Sequence, residues 1–156
     1  LAAGAAQMNI DQLREELAHD EGRQLSIYIC SAEKRTVGIG HMILDGDPES
    51  AMAIGDEISD DRCDELFAQD IAGTIKDCDW LFKSWHDQPD EVRLILANMM
   101  FNLGMPRLSN FKKMRAAIDA SPPDYLEAAV QMADSRWARQ LPNRSARLIN
   151  RMENVA

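Results

Sequence analysis

The chain has 156 residues, with 17 Lys+Arg against 26 Asp+Glu, a formal net charge of −9 and 46% hydrophobic residues. A chain of that length buries about 68–70% of its unfolded surface and needs neither disulfide nor metal staples, and its composition is that of one ordinary globular domain rather than a disordered or collagen-like segment. Three Cys are too few for a disulfide framework, no apolar run approaches the ~18 residues of a membrane span, and the acidic balance argues against a nucleic-acid partner.

Charge is unevenly spread. Residues 1–80 hold 18 acids and 6 bases, whereas residues 81–156 hold 8 acids and 11 bases. Ser135–Met152 carries Arg136, Arg139, Arg144, Arg147 and Arg151 and no acid. The plain reading of such asymmetry is a set of solvated helix faces.

In chain order, Leu1–Ala6 is small and apolar and starts without Met, as the end of a removed signal or anchor segment or a cloning remnant would. Leu13 and Leu17 stand four apart, which predicts a helix over Asp11–Ala18 stopped near Gly22. Leu25, Ile27 and Ile29 alternate with polar neighbours, residues 31–35 read as a turn, and Thr36–Gly40 reads as the returning strand of a hairpin. Asp45-Gly46-Asp47-Pro48 reads as a loop. The acids from Asp45 to Asp61 do not follow a Ca²⁺-loop pattern, because Gly46 and Pro48 interrupt it, and they read as a solvated face.

Ser59 is a good N-cap for a helix from Asp60 to about Cys78, with Cys63, Leu66, Phe67, Ile71 and Ile75 on its apolar side. Asp90–Leu103 is apolar nearly all round, the mark of a buried central helix, stopped by Gly104 and Pro106. Further helices are predicted around Phe111–Ile118, around Tyr125–Met132, and from Pro142 with Ala146, Ile149 and Met152 inward. One hairpin followed by about six helices is an α+β protein, mostly α. Cys63 and Cys78 read as small apolar fillers. If both lie on one helix, their fifteen-residue separation spans about 22 Å, beyond the ~7 Å Cα limit of a bridge.

Glu21 sits where a helix end meets the hairpin, Cys30 ends the first strand and Thr36 begins the second. A lone Glu is ordinarily a surface acid. Beside a hairpin edge that carries a second polar pair it can serve glycosidic hydrolysis, which needs one acid for the leaving oxygen and another group for the attacking water or the developing cation. A His41–Asp70 pair would brace the hairpin against the first long helix. His19, His41 and His86 are too scattered to form a metal site, and no cofactor is implied.

His19-Asp20-Glu21-Gly22, Ile27-Tyr28 and Thr36-Val37-Gly38-Ile39-Gly40-His41 together resemble the active-site hairpin of the phage T4-type lysozymes, with Glu, eight residues, Cys in the place of the commoner Asp, five residues and Thr. Asn98–Gly104 resembles the end of that family's central helix, and Ser135-Arg136-Trp137 with Pro142-Asn143-Arg144 resembles its C-terminal signature. The resemblance runs from about Asp11 to Met152. It implies a lysozyme-like two-lobed domain: a leader or anchor remnant over residues 1–10, a small lobe over 11–58, a connecting helix over 59–78 and a helical lobe over 79–156. The stretch between His41 and Ile58 is shorter than the family's pattern, which implies that most of one short helix is missing.

The implied activity is a muramidase that hydrolyses the β-1,4 bond between N-acetylmuramic acid and N-acetylglucosamine. Glu21 would be the general acid, with Cys30 and Thr36 completing the catalytic set. His41, Asp70 and Arg144 would support the site, Arg144 by orienting the catalytic Glu. Met42, Phe101, Asn102, Gln131 and Arg136 fall where the family lines its saccharide cleft. The implied partner is bacterial peptidoglycan, met as a monomer in the host periplasm, and the implied role is that of a phage endolysin. The alternatives are a tail-associated lysozyme domain and a catalytically weak wall-binding module. Some endolysins of this family keep a weakly apolar signal-anchor-release segment, and LAAGAA resembles the stub of one; it implies transient inner-membrane anchoring and export, and a disulfide at Cys30 would then switch the enzyme off. An ordinary thiol has a pKa near ~8.5, so Cys30 acts as a tuned base, a thiol that positions water, or a direct nucleophile.

Overall fold

A computed structural model describes residues 8–155. The Leu1–Ala6 stretch, with its expected leader, lies outside the described residues. The chain forms two compact units. One takes Arg14–Gly73; the other takes the chain up to Leu13 and from Thr74 onward.

The Arg14–Gly73 unit holds most of helix α1 (Ile10–Glu21) and a three-stranded antiparallel sheet of β1 (Gln24–Ile29), β2 (Arg35–Gly38) and β3 (His41–Met42), in the order β1-β2-β3. α1 runs three residues past its predicted end and stops where Gly22 turns to φ +71°, its N–H bonded back to Ala18 O at 3.0 Å. A left-handed residue at this position is the usual glycine stop.

The hairpin differs from expectation at its far end. Thr36–Gly40 is not one strand: Gly38 (φ +69°) and Gly40 (φ +66°) reverse the chain, and His41–Met42 returns as a third strand. Gly reaches positive φ at no steric cost, so two of them within three residues bend the chain rather than extend it. Tyr28 pairs with Thr36 and Thr36 with Met42, so these three residues share one face of the sheet. The outer edge of β1 is covered by residues 55–58, through Gly55 N–H to Ile27 O (2.8 Å), Ile27 N–H to Asp56 O (2.9 Å) and Ile58 N–H to Leu25 O (2.9 Å). A covered edge offers no template for pairing with another chain.

Helix α2 (Asp60–Leu81) starts at the expected cap, Ser59 Oγ accepting from Arg62 N–H at 3.0 Å, and runs three residues beyond Cys78. Its buried face includes Cys63, Leu66, Phe67, Ile71 and Cys78, whereas Ile75, expected on the same side, is half-buried.

The unit from Thr74 onward is helical. α3 (Asp90–Leu103) has the predicted bounds and buries every residue from Val92 to Met100. Gly104, at φ +78°, ends it. Pro106 does not extend that stop; it sits in the first turn of a short helix α4 (Met105–Leu108), where its missing N–H costs nothing. α5 (Lys112–Ile118), α6 (Tyr125–Ala133), α7 (Arg136–Gln140) and α8 (Pro142–Glu153) follow. The short α4 and α7 bring the described helices to eight, more than the periodicity alone predicts, because one turn of helix carries too little pattern to read. The inward face of α8 also differs: Arg144, Ser145, Leu148 and Met152 are buried, Ala146 is exposed and Ile149 half-buried. No helix among the described residues is long and apolar enough to cross a membrane.

Candidate active site

Glu21 is the last residue of α1, half-buried, placed just before β1 by the Gly22 stop. Its carboxylate lies against Gly40: a Cβ built on Gly40 would stand 2.8 Å from Glu21 Oε2 and 3.2 Å from Cδ. Gly40 is therefore required twice, by its positive φ and by the approach of the glutamate. Two residues earlier in the same reversal, Gly38 makes room for α2 instead, since a Cβ there would meet Cys63 Sγ at 3.1 Å. Arg23, next in the chain, donates to Asp60 Oδ1 (2.8 Å) and Asp64 Oδ1 (2.9 Å) on α2, which fixes the start of β1 to that helix.

Cys30 follows β1. Its N–H donates to Lys34 O at 2.9 Å and its carbonyl accepts from Glu33 N–H at 2.9 Å, closing the hairpin turn with Glu33 at φ +60°. The thiol is free and half-buried. Its pKa lies below the ordinary thiol value, first because the Thr36 hydroxyl bonds to the sulfur, then through the backbone N–H groups of Lys34, Ala32 and Cys30, against the opposing effect of burial. Thr36, 3% exposed, also donates from Oγ1 to Lys34 O at 3.0 Å. Tyr28 stands opposite Thr36. Its phenol is pushed up, first by burial and then by the charges of Cys30 and Glu21, so it shares the field of both groups.

His41 is the brace. Nδ1 lies 2.7 Å from Asp70 Oδ2 and Nε2 lies 2.8 Å from Asp47 Oδ2. Both ring nitrogens face carboxylate oxygens, an arrangement that only the doubly protonated imidazolium satisfies. Burial alone would lower the pKa of this histidine; bonds to Asp70 and Asp47 outweigh it and raise the pKa to about 9. Asp47 is held low, by the Leu44 N–H (2.8 Å) and then by His41. The acids from Asp45 to Asp61 are thus not a single solvated face. Asp47 is tied to His41, and Glu49, 3% exposed, takes both Nε and Nη2 of Arg62. Nothing in the spacing of a Gly-Asp-Pro loop announces a partner six residues back, which is why Asp47 was not legible beside Asp70.

Glu21, Cys30, Thr36, His41, Met42 and all but the far end of α2, Asp70 included, belong to one unit. Phe101, Asn102, Gln131, Arg136 and Arg144 belong to the other. Met42 is 52% exposed on the sheet row it shares with Thr36. Asn102 Oδ1 accepts from Trp137 Nε1 at 2.8 Å, and Gln131 Nε2 donates to Glu127 Oε1 at 2.6 Å. Phe101 is half-buried in the last turn of α3, and Arg136 is exposed at the start of α7. Arg144 is buried, its Nε donating to Asn98 Oδ1 at 3.0 Å. Among the described residues no group of His, Cys, Asp and Glu is disposed to hold a metal.

The sequence profile of the family described as "Phage lysozyme" matches residues 18–154. The chain belongs to that family. Two T4-type lysozymes resemble this lysozyme along almost their whole length. "Probable T4-type lysozyme 2" of Dictyostelium discoideum is 28% identical over 163 residues, spanning 92% of this chain and 95% of its own. "Probable T4-type lysozyme 1" of the same organism is 26% identical with the same coverage. "Pre-baseplate central spike protein Gp5" of Enterobacteria phage T4 is 28% identical over 155 residues, which span 87% of this chain and 26% of Gp5. The lysozyme is thus a glycoside hydrolase with a muramidase-like activity, and its mostly α fold with a small antiparallel sheet is the expected one. In such an enzyme the hairpin unit offers a carboxyl group that can carry a proton, and a thiol beside a hydroxyl.

Proposed function

We propose that the chain hydrolyses the β-1,4 bond between N-acetylmuramic acid and N-acetylglucosamine in peptidoglycan, with Glu21 as general acid and Cys30 and Thr36 holding the attacking water. The observation that supports this most is the hairpin itself. The Glu21 carboxylate lies against Gly40 in the reversal between β2 and β3, and the Cys30 thiol, its pKa lowered by Thr36, stands beyond the other end of β2, in the turn that joins β1 to it. One group then gives a proton to the leaving oxygen while the other pair orients water, the division of labour of an inverting glycosidase. Met42, Phe101, Asn102, Gln131 and Arg136 are the proposed saccharide contacts. His41 and Asp70 hold the hairpin to α2, and Arg144 is the proposed orienting residue for Glu21.

The test is digestion of purified peptidoglycan. The new reducing ends should be muramic acid, and NMR of the fresh product should show the α anomer. Reducing ends of N-acetylglucosamine would contradict the proposed bond, and a β anomer would mean that Cys30 attacks the sugar directly.

We further propose a free endolysin acting on the host wall, in line with the similarity to T4-type lysozymes. The match to a quarter of the Gp5 spike supports the second reading, a tail-associated lysozyme domain. Lysis timed by expression of this chain within infected cells supports the first; its recovery in purified virions supports the second.

A further inference from the structure

The helical unit carries a concavity of about 590 Å³, lined by residues of α4, α5, α6 and α7 and their connections. Four cations line it, Arg107, Lys112, Lys113 and Arg136, against one carboxylate, Asp134. All four are exposed, and among the described residues none has an ion-pair partner. The concentration runs against the −9 of the whole chain. Gln131, which the family resemblance assigns to the saccharide, lines the same concavity.

A glycan strand presents hydroxyls and acetamides, which call for neutral hydrogen-bonding partners. Its net negative charge comes from the peptide stems on the muramyl residues, whose free carboxylates match cations in number and sign. We infer that this concavity reads the charge of the stem: wall with free stem carboxylates is bound and cut in preference to wall whose stem carboxylates are amidated, and Arg107, Lys112 and Lys113 set the preference. The inference rests on peptidoglycan being the substrate. Because the cations are exposed, the preference is electrostatic and weakens as salt shortens the Debye length, about 8 Å at physiological ionic strength.

The experiment has a binding arm and a turnover arm, both on the full chain. A synthetic stem tripeptide with free carboxylates and its fully amidated counterpart are titrated into the protein by calorimetry. The acidic peptide should bind at least tenfold tighter. A triple variant, Arg107→Gln, Lys112→Gln and Lys113→Gln, should bring the two affinities within about twofold. These side chains are exposed, and a matched thermal melt confirms the fold. In the turnover arm, the ratio of kcat/KM on acidic and amidated wall should fall toward one in the same variant. Equal affinity of the wild type for the two peptides, a triple variant that keeps the preference, or inorganic phosphate bound more tightly than the acidic tripeptide overturns the inference. Hydrolysis of both walls at equal rates overturns it too while leaving Glu21 as the acid. Selective peptide binding without hydrolysis of either wall supports it and overturns the catalytic proposal alone.

Discussion

The two units are built by different forces. In the Arg14–Gly73 unit, polar clamps fix the hairpin and the loop beyond it. His41 joins Asp70 and Asp47, Arg62 holds Glu49, and Arg35 donates to the carbonyls of Ser50, Glu49 and Met52. In the unit from Thr74 onward, a nearly all-apolar helix, α3, is wrapped by others and buries Leu94, Ile95, Leu96, Met99 and Met100 at no more than 2% exposure. The lesson is that the small unit holds reactive side chains in fixed positions through charge and hydrogen bonds, which act with direction, whereas the large one supplies non-directional hydrophobic stability. The first should therefore respond to pH and to single polar changes, the second to lost volume.

Leu96→Ala should show the largest effect on stability. Truncating a fully buried Leu removes its transfer free energy and leaves a cavity, at a cost of about 2–5 kcal/mol. Chemical denaturation at pH 6 and pH 9 should give the same loss at both; a loss that changes with pH would break the contrast between the units.

Asp70→Asn probes the other unit. With the His41 pKa raised to about 9, against about 6.5 when unfolded, the stabilisation from its two carboxylates is fully present below pH ~6.5 and is lost as pH rises through 9. For a histidine only 6% exposed this amounts to about 3 kcal/mol. The variant should be less stable than wild type at pH 6 by about 2 kcal/mol, because the buried imidazolium keeps only Asp47 of its two carboxylate partners. The two should converge toward pH 10. Parallel stability curves would show that the pair does not carry the pH dependence.

Gly40→Ala should cost about 1–2 kcal/mol for a left-handed alanine. Its effect on wall hydrolysis should be greater, a tenfold or larger loss, since the new Cβ would occupy the space of Glu21 Oε2. Gly22→Ala is the control: it carries the same backbone strain at φ +71° and meets nothing within 4 Å. Equal activity losses in the two variants would mean that Gly40 matters only for its backbone.

The same division explains what could be read from the residues alone. α3 was legible to its ends because an apolar run from Asp90 that meets Gly104 leaves one interpretation. The Ser59 cap and the Cys63 and Cys78 fillers follow from local chemistry. Glu21, Cys30 and Thr36 were singled out by their spacing and by likeness to a known hairpin, and the His41–Asp70 pair, which the structure forms, from its place between hairpin and helix and from the same likeness. Asp47, Glu49 and Gly40 were missed. Each is defined by a partner distant in sequence, His41, Arg62 and Glu21, and an acid or a glycine in a loop looks the same whether or not the fold brings that partner to it.

The most direct test of the account is Glu21→Gln on purified peptidoglycan, with the melting temperature measured in parallel. Gln keeps the shape of the side chain against Gly40 and has no proton to give, so hydrolysis should fall by about 10²–10⁴ while the fold stays intact. Near-normal hydrolysis by a folded Glu21→Gln protein would contradict the assignment of the acid, and with it the reading of the hairpin as the seat of the chemistry.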